Sequence, residues 1–512
     1  MSNHDQRILQ TGTKPQPIRI TTDYSMLNQE GVTEKQKKYI IDIMESSKLY
    51  FQRLLKVYPL IENNIFPRKF SLKCLNVQIP NDALITGIPN SDLHLYVICT
   101  NEDNDSIANA GYCAIGDVLT RPIFGRVNFN LKNINQFGGD AASFENDLET
   151  SIHEILHVLG FSSNAARFWI NPDTGKSYGT TFKTKLQKTN IYRGKKTGND
   201  DGSFVYHFEK TVIYNEMMTS DESSDSVLSI FTIALLKDTG FYPEVNENMA
   251  DNIFWGKGKG CDFLENACQS TVQYPEYSKQ KSQTQCTFEY DGIGIVNSQF
   301  YTDNCGVVQP YSNRLCTNPN SVTDITKKEL ENDKLSNYST QSKCFQSTAQ
   351  KLNSVNSESQ FRCHQYKCSS DASEISVIFP DIDLKVLCEK GEQNIQKDID
   401  PSGQKARGKL TCPQDYDRFC NYTSICPNFC SEKGVCVNGQ CICKSGFGGV
   451  DCSINCSGVV DNETCIQGTC PQSKFLNPDN TCKSDCPLVH SEVLTNVNRV
   501  IAVVLDAQTI SY

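Results

Sequence analysis

Histidine is scarce in this chain, with seven residues among 512, and tryptophan occurs only twice. No run of about 18 apolar residues occurs anywhere, so no segment reads as a membrane-spanning helix. The apolar stretch Val500 to Leu505 is too short and Asp506 follows it at once, which leaves a lipid-anchor tail unsupported. The opening residues MSNHDQRILQTG are polar and lack the apolar core of a secretory leader. Positive charge is not in excess either: the formal net charge is −10, which argues against nucleic acid as a main partner.

Cysteine, by contrast, is abundant and unevenly placed. Of 25 cysteines only Cys74, Cys99 and Cys113 precede residue 200, and the other 22 fall from Cys261 onward. Such density in Ser/Asn/Gln-rich sequence implies disulfides and an oxidising, extracellular or cell-surface setting. Sequons at Asn104, Asn337, Asn421, Asn455 and Asn462 agree with that setting. Disulfides without a visible leader predict a truncated chain, a mature form or an incomplete gene model. The length allows about three domains.

Thr33 and Gln36 have the spacing of a capping box. A helix is expected after them, with Ile40, Met44, Phe51, Leu54 and Tyr58 as its apolar stripe and Pro59 helping to stop it. Ile18–Thr21 reads as a strand, and Leu75, Val77 and Ile79, then Leu93, Leu95 and Val97, alternate as strands do. Arg121 to Asn130 (RPIFGRVNFN) reads as one more strand, or a strand pair kinked at Gly125. Residues 161 to 206 are polar, with a Lys-rich run from Lys183 to Lys196 that reads as a solvated surface insertion. A helix fits Asp225 to Lys237, capped by Ser224 or Asp225 and ended by Gly240.

The stretch Ser151 to Ser163, SIHEILHVLGFSS, concentrates the chemistry. His153 and His157 are four residues apart and share one helix face, so both imidazoles can grip one metal ion. Glu154, next along the turn, is placed to take a proton from a water that zinc polarises. Leu148, Ile152, Ile155 and Leu159 mark the opposite, buried face, and Gly160 is a C-cap. Of the other histidines, His94 sits on a predicted strand as a structural residue. His364 and His490 lie among cysteines and His4 at the start. His207 follows a long insertion that leaves room for the chain to return to the site.

Gly160, three residues after His157, makes the pattern resemble the metzincin motif HExxHxxGxxH, with Ser163 where most members carry a third histidine. The chain resembles the leishmanolysins, which insert a subdomain before that ligand. The matching stretches are HEILHVLGFSS, the isolated His207 in VYHFEK, YNEMMTS, LKDTGFY, RPIFGRVNFN and FWGKGKGCDFL. The resemblance implies an α+β metzincin-type catalytic domain, with helix and mixed sheet above the cleft and a loop-rich part below, followed by disulfide-rich, loop-rich domains. It implies one Zn2+ held by His153, His157 and His207, Glu154 as general base, and Met218 (Met217 as the alternate) in a Met-turn under the ion. A glutamate ligand, Glu209 or Glu216, is the competing reading for the third position. Protein or peptide substrates would lie extended along a strand edge, with RPIFGRVNFN the candidate strand. Ser2-Asn3-His4-Asp5 stands where the family's prosegment carries Cys-x-His-Asp, with serine in place of the latching cysteine.

Near the C-terminus, Cys426, Cys430, Cys436, Cys441, Cys443 and Cys452, with Gly446 to Gly449 in the last gap, resemble an epidermal-growth-factor-like module. That resemblance implies bridges 426–436, 430–441 and 443–452, and a cell-surface partner or a spacer role. The expected segments are 1–30 (prosegment remnant and entry strand), 31–160 (N-terminal catalytic subdomain) and 161–270 (insertion, third ligand and Met-turn). Residues 271–411 (Cys-containing domain) and 412–512 (Cys-rich, with the module at 426–452) complete the chain. The expected function is an extracellular or cell-surface zinc endopeptidase, with a catalytically silent adhesion protein on the same scaffold as the alternative.

Overall fold

Thr33 opens the first helix as its spacing predicts. Its hydroxyl accepts the Gln36 N–H at 3.2 Å, and the Gln36 side chain accepts the Thr33 N–H at 2.9 Å. The computed structural model describes residues 14–116, 120–134, 141–179, 207–220 and, with short breaks, 226–455; beyond these it describes only 459–461, 464–466, 475–476 and 482–483. His4, the Ser2–Asp5 motif, the Lys-rich run 183–196 and His490 lie outside the described residues. The chain divides into two units, residues 1–425 and 426–512.

Helix α1 (Glu34–Leu54) buries Ile40, Met44, Phe51 and Leu54. It ends before Pro59 because Leu55–Val57 turns extended and pairs with Gln16–Pro17 and with Glu244–Val245. The main sheet contains β1 (Ile20–Asp23), β4 (Leu93–Thr100), β5 (Ala108–Ile115) and β6 (Pro122–Asn130), in the order β1-β4-β6-β5. Strands β1, β4 and β6 are parallel, and β5 runs antiparallel on the edge beside β6. The mixed sheet expected of the family is therefore present. Residues 75–79 do not form one alternating strand. They belong to a hairpin, β2 (Lys73–Cys74) and β3 (Val77–Gln78), turning at Leu75 and Asn76.

RPIFGRVNFN forms a single strand rather than a pair, and Gly125 pairs in register with both Leu95 and Tyr112. The irregularity falls instead in β5, after Tyr112. Gly125 is needed for a different reason. A Cβ there would meet Val158 Cγ1 at 2.4 Å, so glycine lets helix α2 (Ala141–Leu159) lie close against the sheet. Strand β6 is buried along its whole length, so it is interior and β5 is the edge. On its other side α2 meets α1, where Ser47 bonds Ser151 at 2.8 Å and Tyr39 donates to Asp147 at 2.6 Å.

Two further helices follow in the chain, the short α3 (Lys210–Ile213) and α4 (Ile230–Asp238). The cap of α4 is Ser229, whose hydroxyl accepts the Phe231 N–H, and not Ser224 or Asp225. Gly240 ends the turn at φ +66° as expected.

Residues 271–411 are more regular than their composition suggests. Their two larger sheets are antiparallel: β7 (Thr284–Cys286), β8 (Gly292–Ser298) and β9 (Gly306–Leu315), then β10 (Ser342–Gln346), β11 (Phe361–Cys368), β12 (Ile375–Phe379) and β13 (Leu384–Cys388). The bridges 268–305, 286–344, 316–363, 368–420 and 388–412 hold these sheets. His364 is a core residue bonded to Ser347 and the Leu335 carbonyl. In the second unit the bridges are 426–436, 430–441 and 443–452, around the hairpin β14 (Gly434–Val437) and β15 (Gln440–Cys443).

A buried ion cluster fastens the upper half. Arg19 donates to both Asp92 carboxylate oxygens, at 2.7 and 3.0 Å, and the fully buried Arg121 reaches the same carboxylate at 3.3 Å. Burial alone would raise the Asp92 pKa, but the Arg19 bond, the Arg121 charge and two backbone N–H groups together hold it below its usual value. Asp92→Ala leaves a buried guanidinium unpaired and is expected to cost about 3–5 kcal/mol. Denaturant unfolding reads this, and a loss under about 1 kcal/mol would contradict it. Burial also holds the His94 imidazole down at about 4 against its ordinary 6.5. As pH falls, the unfolded chain therefore takes the proton first. Stability should drop between pH 6.5 and 4 by on the order of 2–3 kcal/mol, and a His94→Asn variant should lose that part of the slope.

Candidate metal centre

Helix α2 places His153 and His157 one turn apart, with ring centroids 4.7 Å from each other. Each ring is fixed through its Nδ1. That of His153 donates to the Met217 carbonyl at 2.6 Å, and that of His157 to the Phe161 carbonyl at 2.8 Å. A carbonyl can only accept, so both Nε2 atoms are bare acceptors. Gly160 makes the second contact possible. At φ +125° the chain doubles back, and the Phe161 carbonyl returns to its own helix. A Cβ at Gly160 would lie 3.1 Å from the Phe241 ring. Ser163 opens the short helix Ser163–Ala166.

His207 comes to the same point from a separate segment. Its Nε2 lies 3.1 Å from that of His153 and 3.1 Å from that of His157, which are 3.0 Å apart. Among the described residues these three side chains form a group able to hold a metal ion. The other such group, Cys426, Cys430 and Cys441, is consumed in disulfides. Lone pairs facing one another at this distance repel unless a cation lies between them. The triangle has room for one about 2.0–2.1 Å from each nitrogen. The His157 imidazole is held well below its ordinary pKa by burial, then by His153 and His207, and burial lowers His153 as well. Both are kept neutral, the form that binds metal. The donor set fits zinc.

The segment Tyr214–Thr219 supports two of the three rings. The Met217 carbonyl holds His153, and the Met218 carbonyl accepts the N–H of Phe208 at 2.8 Å, beside His207. Met218 is fully buried and Met217 nearly so. Glu216 does not turn toward the histidines. One carboxylate oxygen accepts the Met218 N–H at 2.5 Å, and the other accepts from the Ser229 hydroxyl at 2.8 Å and from Thr232. Glu209 stands at the N-cap position of α3, where it accepts from Thr211 at 3.3 Å. Neither carboxylate belongs to the metal-binding group.

Glu154 is 7% exposed. Burial pushes its carboxyl up to about 8, against the pull of the Arg126 guanidinium and of a hydrogen bond from the Ala110 N–H. Ala110 lies on the edge strand β5. The sequence had signalled neither Arg126 nor the Ala110 N–H, and a backbone donor leaves no trace in residue type. The clamp made by Glu216 is likewise invisible in the sequence, where a glutamate beside the Met-turn reads only as a competing ligand.

A mixed sheet over a helix that offers two histidines, completed by a third from a returning segment, is the arrangement of a metallopeptidase. Residues 23–170, 195–297 and 279–425 match the leishmanolysin family of peptidases, and the chain belongs to that zinc-dependent family. Residues 425–453 match the tenascin epidermal-growth-factor domain. The chain is 24% identical over 490 residues to a leishmanolysin-like peptidase of Caenorhabditis briggsae, an alignment covering 72% of each. It is 24% identical to the ciliated left-right organizer metallopeptidase of Danio rerio over 71% of this chain and 60% of the relative. To leishmanolysin of Leishmania major it is 26% identical over 48% of this chain and 46% of that protein. The nine disulfides among the described residues fit an extracellular or secreted protein, and no described helix is long and apolar enough to cross a membrane.

Glu216→Ala strips the acceptor from Ser229, Thr232 and the Met218 N–H, all buried. It is expected to cost about 3 kcal/mol or more and to lower zinc affinity by about 10–100-fold through misplacement of the Met217 carbonyl. Thermal unfolding and zinc content after dialysis measure the two effects.

Proposed function

We propose that this chain is an extracellular or cell-surface zinc endopeptidase that hydrolyses peptide bonds in proteins. The convergence of the three Nε2 atoms beside the buried Glu154 carries the reading. His153, His157 and His207 would hold one zinc ion, and the buried Met218 would serve as the Met-turn residue of the segment that supports them. Zinc bound there supplies a Lewis acid for the scissile carbonyl and lowers the pKa of water towards 7.

The chain's own groups supply the remainder. Ionised by the positive charge that the three histidines would hold, a Glu154 carboxylate oxygen takes the proton of the attacking water and passes it to the nitrogen of the leaving amine. Burial leaves that carboxyl few competing partners, and the Ala110 N–H orients it. Substrate lies along β5, not along RPIFGRVNFN, which is interior. Ile107, just before β5, and Asn109 and Gly111 within it bond to β6, as the bond from the Asn130 N–H to the Ile107 carbonyl and the register show. The main-chain groups of Ala108 and Tyr112 and the Ala110 carbonyl therefore turn outward, where an extended peptide can add as a further strand. The growth-factor-like module serves as a spacer or as a docking unit for a cell-surface partner.

Zinc-loaded wild-type protein should cleave casein. Glu154→Ala should lower kcat by more than about 100-fold while retaining one zinc per chain. His207→Ala should lose the ion at concentrations where Glu154→Ala keeps it. Casein cleavage by Glu154→Ala at the wild-type rate would overturn the assignment of the base, and full zinc retention by His207→Ala would overturn that of the third ligand.

A further inference from the structure

Leu75 occupies a position that its residue type disfavours. It is the first of the two residues joining β2 and β3, and its φ is +55°. Hairpin turns with a left-handed first position favour glycine, because the Cβ of an L-residue there crowds the following carbonyl oxygen. Folding recovers little of this by burial, since Leu75 is 51% exposed. An unfavourable backbone held under an exposed leucine suggests that the side chain is there to meet something outside the fold.

Its surroundings indicate what. The Cys74–Cys113 disulfide ties the hairpin to the edge strand β5. Leu75 Cδ1 lies 3.4 Å from where a Cβ on Gly111 would be, so the leucine overhangs Gly111. That glycine sits between Ala110, whose N–H reaches Glu154, and Tyr112. Gly111 directs its main-chain bonds inward to β6. A peptide residue pairing opposite it on the open side therefore forms a non-hydrogen-bonded pair, where facing Cβ positions are about 4.5–5.5 Å apart. The peptide side chain in such a pair shares the face of Gly111, which is the face that Leu75 covers. Glycine leaves that space empty.

We propose that Leu75 is a specificity-determining residue, the roof of a subsite that takes an apolar side chain from the substrate residue opposite Gly111. The inference rests on the reading of β5 as the substrate strand, and it adds a preference at one substrate position next to the reacting bond.

A peptide library cleaved by the full-length zinc-loaded protein, and by its Leu75→Gly and Leu75→Asp variants, tests it. Wild type should favour leucine over glycine at one position by about 10-fold in kcat/KM. Leu75→Gly should abolish that preference at that position only, and Leu75→Asp should turn it towards lysine. Peptides with glycine at that position should show the smallest differences among the three proteins. Leu75→Gly relieves the left-handed backbone, so its thermal midpoint should match or exceed that of wild type, which separates loss of preference from loss of folding. An unchanged preference in Leu75→Gly would overturn the proposal. If wild type cleaves no peptide, the endopeptidase reading fails instead. Fluorescence anisotropy of the same peptides then decides on Leu75, with equal Kd values for wild type and Leu75→Gly counting against it.

Discussion

Three imidazole nitrogens with their lone pairs facing one another, all within 3.1 Å, form an arrangement that a protein cannot hold cheaply without a cation. The surrounding structure restrains each ring. The Phe161 carbonyl holds His157, the Met217 carbonyl holds His153, and the Met218 carbonyl anchors the residue after His207. The last two carbonyls belong to one short turn, so the positions of two of the histidines depend on the geometry of a few residues. Glu216 fixes that turn from behind, and Ser229 and Thr232 tie it to the start of α4.

Two glycines set the distances on which the site depends. Gly125 lets the helix bearing the histidines pack against the interior strand, and Gly160 lets the chain double back so that a carbonyl meets the second histidine. With the helix at that depth, the carboxyl of Glu154 comes beside the edge strand, where the Ala110 N–H meets it. Glu154 and the edge strand are thus brought together by one packing contact.

Much of this was legible in the chain. The capping box, the helix-spaced HExxH, the long β4 and β6 strands and the terminator Gly240 each rest on local physics, and each stands where its pattern put it. The growth-factor-like bridges followed from spacing through a resemblance, and their pairing is as implied. Errors arose where a distant group overrides a local preference. The start of α4 is set by the buried Glu216 carboxylate rather than by Ser224 or Asp225. Helix α1 stops before its proline because sheet pairing takes over. Leu75, Val77 and Ile79 alternate in apolar character yet straddle a turn held to β5 by a disulfide. Residues 271–411 look loop-rich by composition, while short cross-strand pairs and disulfides make them sheets.

By itself the sequence determined which residue types could do chemistry and on what local element two of the three histidines stand, because residues four apart on a helix meet without help from the rest of the fold. It also narrowed the third histidine to very few candidates, since so few exist. Only the tertiary structure decided that His207 meets the other two, that Glu216 turns away, and that β5 rather than β6 is the open edge. Those outcomes depend on main-chain carbonyls, sheet order and the depth of helix packing, none of which is carried by the identity of a single residue.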